Sequence, residues 1–451
     1  MANGCTNTNG SGSGGKGSMS WWHLSLIGVG CTIGTGYFLG SSIGIKQTGP
    51  SIVFSFVLAA VGTYIVYNLL AKMTAEDPQE GSFCYYAAKA FGKWAGFSCG
   101  WNYWCSNILI MGSQLTALAI LSQFWFPRIQ LWVFASGYAV LSLLIVILGT
   151  KSFDKAEGIF AVIKTSAIIM FIVIAALALF GVIEGKGEIP EFLFNQNSLF
   201  PEGLKGLWAS LIYAFYAYGG IEVIGLMAME LKDKKEAPKA GNVMLLILTL
   251  IYVASLAMAV LLVSLEAFND KESPFVTALS MHNLPFFPHV FNGAIIIAGF
   301  SALTAALFGV TSLLVTLAKD GDAPKIFEKK LKKPRDLPLP SLGLATTGLI
   351  ASVITALLLP GKVYEYLTTA AGILLLYNWA FIILSAFKIL KQKRSGIILS
   401  IFGLALLFSA VTGTIIEKSI RFGFYISLLL VALIALVAFL MNKKWKKEHT
   451  A

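Results

Sequence analysis

The chain has 451 residues, 57% of them hydrophobic and 13% charged, with a mean hydropathy of +0.76. Ordinary soluble domains carry about twice that charge fraction, so the composition excludes one and points to an integral membrane protein. The formal net charge is +11, but the bases are scattered over short loops, which argues against a nucleic-acid partner and leaves a topology and anionic-lipid signal.

Residues 1–18 are rich in Gly, Ser, Asn and Thr, with no apolar stretch before Trp21. Residues 1–20 are therefore predicted to be a flexible tail rather than a cleaved signal peptide. Twelve apolar segments long enough to cross a bilayer follow, at 24–45, 50–71, 95–124, 131–150, 156–183, 207–229, 242–265, 290–318, 340–359, 363–388, 396–416 and 421–441. With the N-terminus inside, inner loops and tails hold 25 of the 34 lysines and arginines, and outer loops hold eight. Lys164 lies within a span. That asymmetry puts both termini in the cytoplasm. The outer loop at 266–289 carries Ser273-Pro-Phe and His282 to Pro288, which read as short interfacial helices bounded by prolines, either a cap or a lid over an outer vestibule. Residues 442–451 form a basic tail, and no stretch could make a separate soluble domain. Cys5, Cys31, Cys84, Cys99 and Cys105 and the four histidines have no metal spacing, so no disulfide framework, zinc site or cofactor is expected.

The first span is interrupted. Gly28 to Gly40 reads GVGCTIGTGYFLG, and glycine weakens a helix interior by about 1 kcal/mol relative to alanine. Irregular backbone at membrane depth survives only where it lines a protected cavity. A second break, Ala217-Tyr-Gly-Gly-Ile-Glu222, falls in the sixth segment. Two interrupted spans at matching places in two halves point to a transporter's substrate site. Unwinding at Ile33, Gly34, Thr35 and Gly36 frees amide N–H groups that suit a carboxylate, and carbonyls just before the break suit an ammonium. A free α-amino acid offers both charges. Close packing through small residues is the competing explanation for one such run, but a second break with an acid beside it favours binding. Gly219 and Gly220 make that second break, and Tyr216 and Tyr218 beside them are candidate gating aromatics.

Only Lys164 and Glu222 place a charge well inside the hydrocarbon. Each costs about 2.5–3.5 kcal/mol at a helix centre on insertion scales, so both are functional candidates. Burial disfavours a charged lysine; Lys164 could alternate between charged and neutral, replace a sodium ion and couple transport to protons. Glu222 could cap freed amides or take up a proton. If spans 1–5 (about 21–185) and 6–10 (about 205–390) are repeats, an odd span count forces the second copy in from the opposite face. Spans 11 and 12 (396–441) then lie outside a transport core of 21–395, as scaffold or dimer contact.

Several stretches carry a family resemblance: Gly30-Cys-Thr-Ile-Gly-Thr-Gly-Tyr-Phe38, Gly81-Ser-Phe-Cys-Tyr-Tyr-Ala87, Gly100-Trp-Asn-Tyr-Trp104, Ala214 to Glu222, and Leu317-Ala-Lys-Asp-Gly-Asp-Ala-Pro324. In this order the chain resembles the bacterial amino-acid permease branch of the amino acid–polyamine–organocation superfamily. The resemblance implies an all-α, twelve-helix membrane fold of the leucine-transporter type: a 5+5 inverted repeat, two extra helices, and helices 1 and 6 broken. It implies that the substrate carboxylate meets the backbone at Thr35 and Gly36, and its amino group the carbonyls near Ile33, Tyr216 and Gly219. Lys164 matches a span-5 lysine proposed to occupy a coupling-sodium site, and Glu222 the acid after the span-6 break. Three positions depart from the branch. Ala71-Lys72 replaces Gly-Glu, Gln114 replaces a span-3 glutamate, and Ser312-Leu313 replaces Ser-Arg.

The expected function is a permease of the plasma membrane importing a neutral L-amino acid by proton symport, with small or moderately apolar side chains favoured. An exchanger on the same fold is the nearest rival. A membrane-embedded enzyme would need a nucleophile–base pair or metal cluster that the sequence lacks, and a sensor would normally add a signalling domain. The expected partners are the amino acid, protons, lipid, and at most a second copy in a homodimer.

Overall fold

The computed structural model describes residues 19–79, 81–148, 150–183, 196–222, 230–282, 284–329, 337–359 and 362–448. Helices dominate them. The first interrupted segment becomes α1 (Trp21–Thr32), α2 (Thr35–Phe38) and α3 (Gly40–Thr48). Then come α4 (Ile52–Glu76), α5 (Ser82–Phe91), α6 (Lys93–Gln123), α7 (Leu131–Leu148), α8 (Thr150–Leu179) and α9 (Gly203–Ala217). The rest are α10 (Ala237–Leu262), α11 (Pro274–Ser280), α12 (Phe287–Lys319), α13 (Leu339–Leu358), α14 (Val363–Ile389), α15 (Arg394–Ile416) and α16 (Arg421–Glu448). Proline sits at the first or second position of α10 to α13, where its missing N–H costs nothing.

Ten helical stretches among the described residues are long and apolar enough to cross a membrane; one of them, Thr35–Glu76, runs through α2, α3 and α4. Burial ranks them. The most apolar windows of α6, α12 and α14 are 78%, 72% and 72% buried inside the protein, whereas that of α16 is 17%. The first three therefore form the centre, and α16 lies at the rim. Helices approach closely where one side chain is small: a Cβ on Gly30 would come 2.6 Å from that of Ala161. Hydroxyls inside the bundle often satisfy themselves on the preceding turn, as Thr32 does on Gly28 O (2.9 Å) and Thr311 on Leu307 O (2.7 Å).

Several boundaries differ from the sequence expectation. Met19, assigned to the flexible tail, pairs with the segment after the second break: its N–H donates to Glu230 O (3.0 Å) and its carbonyl accepts from Lys232 N (2.9 Å). Residues 1–18 lie outside the described set. The last helix runs on to Glu448, through much of the expected basic tail, because Trp445 packs on Phe97 at 5.5 Å between ring centroids. In the 266–289 loop, Pro274–Ser280 is a helix as expected. Leu284 to Phe286 instead form a turn leading into α12, which starts at Phe287.

Candidate functional site

At the first break the chain leaves the helix at Ile33 (ψ 114°) and passes through an extended Gly34. Ile33 N–H still donates to Val29 O, and the next amides to find acceptors are Tyr37 and Phe38, both on Gly34 O. Thr35 and Gly36 stand at the start of α2, where no preceding turn can accept from their N–H groups. Gly36 is glycine for space, since a Cβ there would lie 2.7 Å from the Tyr216 ring. The two breaks thus touch. Tyr364 from α14 closes the other side, donating its hydroxyl to Thr35 O at 3.0 Å.

The second break turns at Gly220, whose φ of +108° is a conformation that favours glycine. Its N–H donates to Glu222 Oε2 (3.2 Å). Glu222 is 2% exposed, and two more donors reach it: Tyr103 Oη to Oε1 and Trp379 Nε1 to Oε2, each at 3.3 Å. Three donors around one carboxylate offset much of what burying it would otherwise cost. Tyr216 is held by Ser113, hydroxyl to hydroxyl, at 2.7 Å.

Between the breaks lies a cavity of about 40 Å³. Gly34, Thr35 and Gly36 line it from one side, Tyr216, Gly219, Gly220 and Glu222 from the other, and Gln114 and Ala302 from α6 and α12. At about 10–15 Å³ per water, this is room for about three waters. A wider cavity of about 720 Å³ opens beyond Tyr364, lined by Gln123, Asp270, Glu272 and Glu365 among others. Above it Lys46 on α3 pairs with Asp270 (3.3 Å), and Ser42 donates to Glu272 O (2.7 Å). At the start of α1 the Met19 pairing, Ser25 Oγ on Ala240 O (2.7 Å) and Lys239 over the Trp21 ring at 4.0 Å hold the helix against its neighbours. No group of three His, Cys, Asp or Glu able to hold a metal occurs among the described residues.

The structure thus brings Gly34, Thr35, Gly36, Tyr216, Gly219, Gly220 and Glu222 to one cavity. Ile33 is buried just behind it. Tyr218 is not among the lining residues. It turns into an aromatic stack, 5.3 Å from Tyr252 and 6.2 Å from Phe56 between centroids. Residues next to a break alternate direction as the helix ends, so proximity in sequence did not put both tyrosines on one face. Lys164 is 3% exposed on α8, which packs against α1, α10 and α12. It lies three residues after Ala161, which faces Gly30, and so on the α8 face near the first break. Sequence reasoning passed over Tyr364, Trp379 and Ser113 as site residues. Tyr103 stood inside a quoted motif, but nothing local tied any of them to a break more than 90 residues away.

Comparison with known proteins agrees with the architecture. The amino acid permease family model matches residues 23–451. The chain is 52% identical over 429 residues to the uncharacterized transporter YcgH of Bacillus subtilis (strain 168), covering 95% of this chain and 96% of that one. It is 30% identical over 380 residues to the aromatic amino acid transport protein AroP of Corynebacterium glutamicum, covering 83% of this chain and 81% of the relative. To AroP of Escherichia coli (strain K12) it is 31% identical over 381 residues, covering 82% and 81%. With a cavity at two helix breaks, a bundle of membrane-length helices and a family match across nearly its whole length, the chain belongs to the amino acid permease family of the amino acid–polyamine–organocation superfamily.

Proposed function

We propose that this permease is a secondary active transporter that imports a neutral L-amino acid across the plasma membrane by proton symport and alternating access. The observation that carries the reading is the meeting of the two breaks. Freed amides at Thr35 and Gly36 suit a carboxylate, and carbonyls near Ile33, Tyr216 and Gly219 suit an ammonium, around one small cavity. Among the described residues the one charged side chain lining the cavity, Glu222, already accepts from three donors, which favours a neutral side chain over a cationic one. The wide cavity at one end and the contacts that hold the start of α1 at the other fit a transporter with access to one side at a time.

We read the chain as twelve crossings. Thr35–Glu76 divides at Gly49-Pro50 into the second half of span 1 and span 2, and α9 supplies the interrupted span 6. Helix packing supports a twofold relation between spans 1–5 and 6–10. Under such an axis each contact has a mate. α1 packs on α10, and α9 on α4; α1 packs on α8, and α9 on α14. α6 meets α14 as α12 meets α8, and α7 meets α12 as α13 meets α6. Counterparts also touch: α4 with α10, and α6 with α12. An odd number of spans per copy makes the repeat inverted, with both termini in the cytoplasm.

Uptake of a panel of labelled amino acids into proteoliposomes, under imposed proton or sodium gradients, tests this reading. We expect a neutral amino acid to accumulate with the proton gradient alone, and Lys164→Ala to abolish that dependence. Accumulation driven by sodium alone would overturn the coupling assignment to Lys164. A strict requirement for internal substrate would replace symport with exchange.

A further inference from the structure

We infer that the pocket selects a small amino acid whose side chain carries a hydrogen-bonding group, and that Gln114 is the residue that reads it. The inference rests on the zwitterion site proposed above and names its side-chain class. Gln114 is 5% exposed on α6, and its Oε1 has no hydrogen-bond partner among the described residues. Thr35 is 1% exposed, and its Oγ1 likewise has none. Both line the same cavity, one from α6 and one from the first break. Several buried polar atoms lack a partner among the described residues, but these two belong to residues that line one small cavity, where a ligand can supply the partners. Other polar groups around that space are engaged: Ser113 with Tyr216, Thr32 with Gly28 O, and Glu222 with its three donors.

With its carboxylate and ammonium at the break, a bound amino acid directs its side chain toward α6 and α12, where Ile110, Gln114 and Ala302 form the wall. A carboxamide offers a carbonyl that accepts and an NH2 that donates. A serine, threonine, asparagine or glutamine side chain can satisfy it, whereas an aliphatic one leaves a buried acceptor against carbon. Binding the analogue that lacks the group leaves the buried carboxamide oxygen unpaired, which weakens binding about 10- to 100-fold. The cavity of about 40 Å³ is tighter than a whole amino acid, which favours the smallest side chains. This keeps the small side chain of the sequence expectation, small or moderately apolar, and adds a hydrogen-bonding group to it.

Threonine and valine share shape and differ by one hydroxyl, so they form the test pair. In proteoliposomes holding the full chain, L-threonine should exceed L-valine in kcat/KM by about 10- to 100-fold, and Gln114→Leu should bring the ratio toward one. The wild-type protein in detergent should also gain thermal stability from threonine at concentrations where valine has no effect, a readout that needs no variant. Equal uptake of both amino acids, preference for leucine or phenylalanine over threonine, or an unchanged ratio in a folded Gln114→Leu would overturn the inference while leaving amino-acid transport standing. If no amino acid in a wide panel is taken up or stabilises the protein, the zwitterion reading fails, and this inference falls with it.

Discussion

The two breaks that meet at the cavity use glycine for opposite reasons. Gly34 is extended (φ −152°), a conformation open to any residue, and a Cβ there would meet only Thr32 O at 4.0 Å. Its glycine keeps space open. Gly220 has φ +108°, which side chains resist, and its N–H is consumed by Glu222. Its glycine makes the turn possible. In the proposed function the first break offers its amides to a ligand, whereas the second offers carbonyls beside a turn whose amide is already used by its own acid.

Substitutions can break that contrast, beginning with the largest effect. Gly220→Ala should cost about 1–3 kcal/mol of stability from backbone strain alone and abolish uptake; a wild-type melting temperature would refute the conformational role. Glu222→Gln can keep its oxygen on Gly220 N and Trp379 Nε1 and turn its NH2 to the Tyr103 hydroxyl, which can accept, so it removes the charge at a stability change of about 1 kcal/mol or less. Uptake should fall at least tenfold, followed from pH 5 to 8, and a wild-type rate would show that the carboxylate is dispensable. Gly34→Ala should leave stability within about 0.5 kcal/mol but raise KM about tenfold, by putting a methyl into a cavity of about 40 Å³. A stability loss matching that of Gly220→Ala would erase the distinction between the breaks. Tyr364→Phe removes one neutral hydrogen bond to Thr35 O, about 0.5–1.5 kcal/mol, and should slow uptake several-fold.

The smallest effect serves as a control remote from both breaks. Asp322 follows α12, outside the spans, and burial pushes its carboxyl up from 3.8 to about 6. A raised carboxylate pKa means the folded state binds more protons between about pH 4 and 6, so stability falls as pH rises through that window. Partial exposure screens the penalty to about 1 kcal/mol or less. Asp322→Asn should therefore raise the melting temperature at pH 7.5, leave it unchanged at pH 4, and not alter the contrast between the breaks.

Legibility followed the range of each interaction. Two glycine runs in apolar segments, one with an acid beside it, announce breaks locally, because glycine weakens a helix and irregular backbone at membrane depth needs a protected cavity. The rarity of intramembrane charge isolated Lys164 and Glu222 in the same way. Tyr216 and Tyr218 could not be separated, since the sequence does not say which way the chain turns as a helix ends. Tyr364, Trp379 and Ser113 were out of reach because each acts across a helix interface on a residue over 100 positions away in the chain.

By itself the sequence determined the membrane setting, the helical segments and the positions of the two breaks, all consequences of residue-by-residue transfer into hydrocarbon. Only the tertiary structure decided what fills the space between them. α4 and α10 drew Tyr218 aside, α6 and α14 gave Glu222 two of its donors, and Gln114 on α6 lines the cavity with its Oε1 unpartnered among the described residues. Side-chain partners are chosen by which helix faces come to meet, and helical periodicity fixes a face without naming its neighbour.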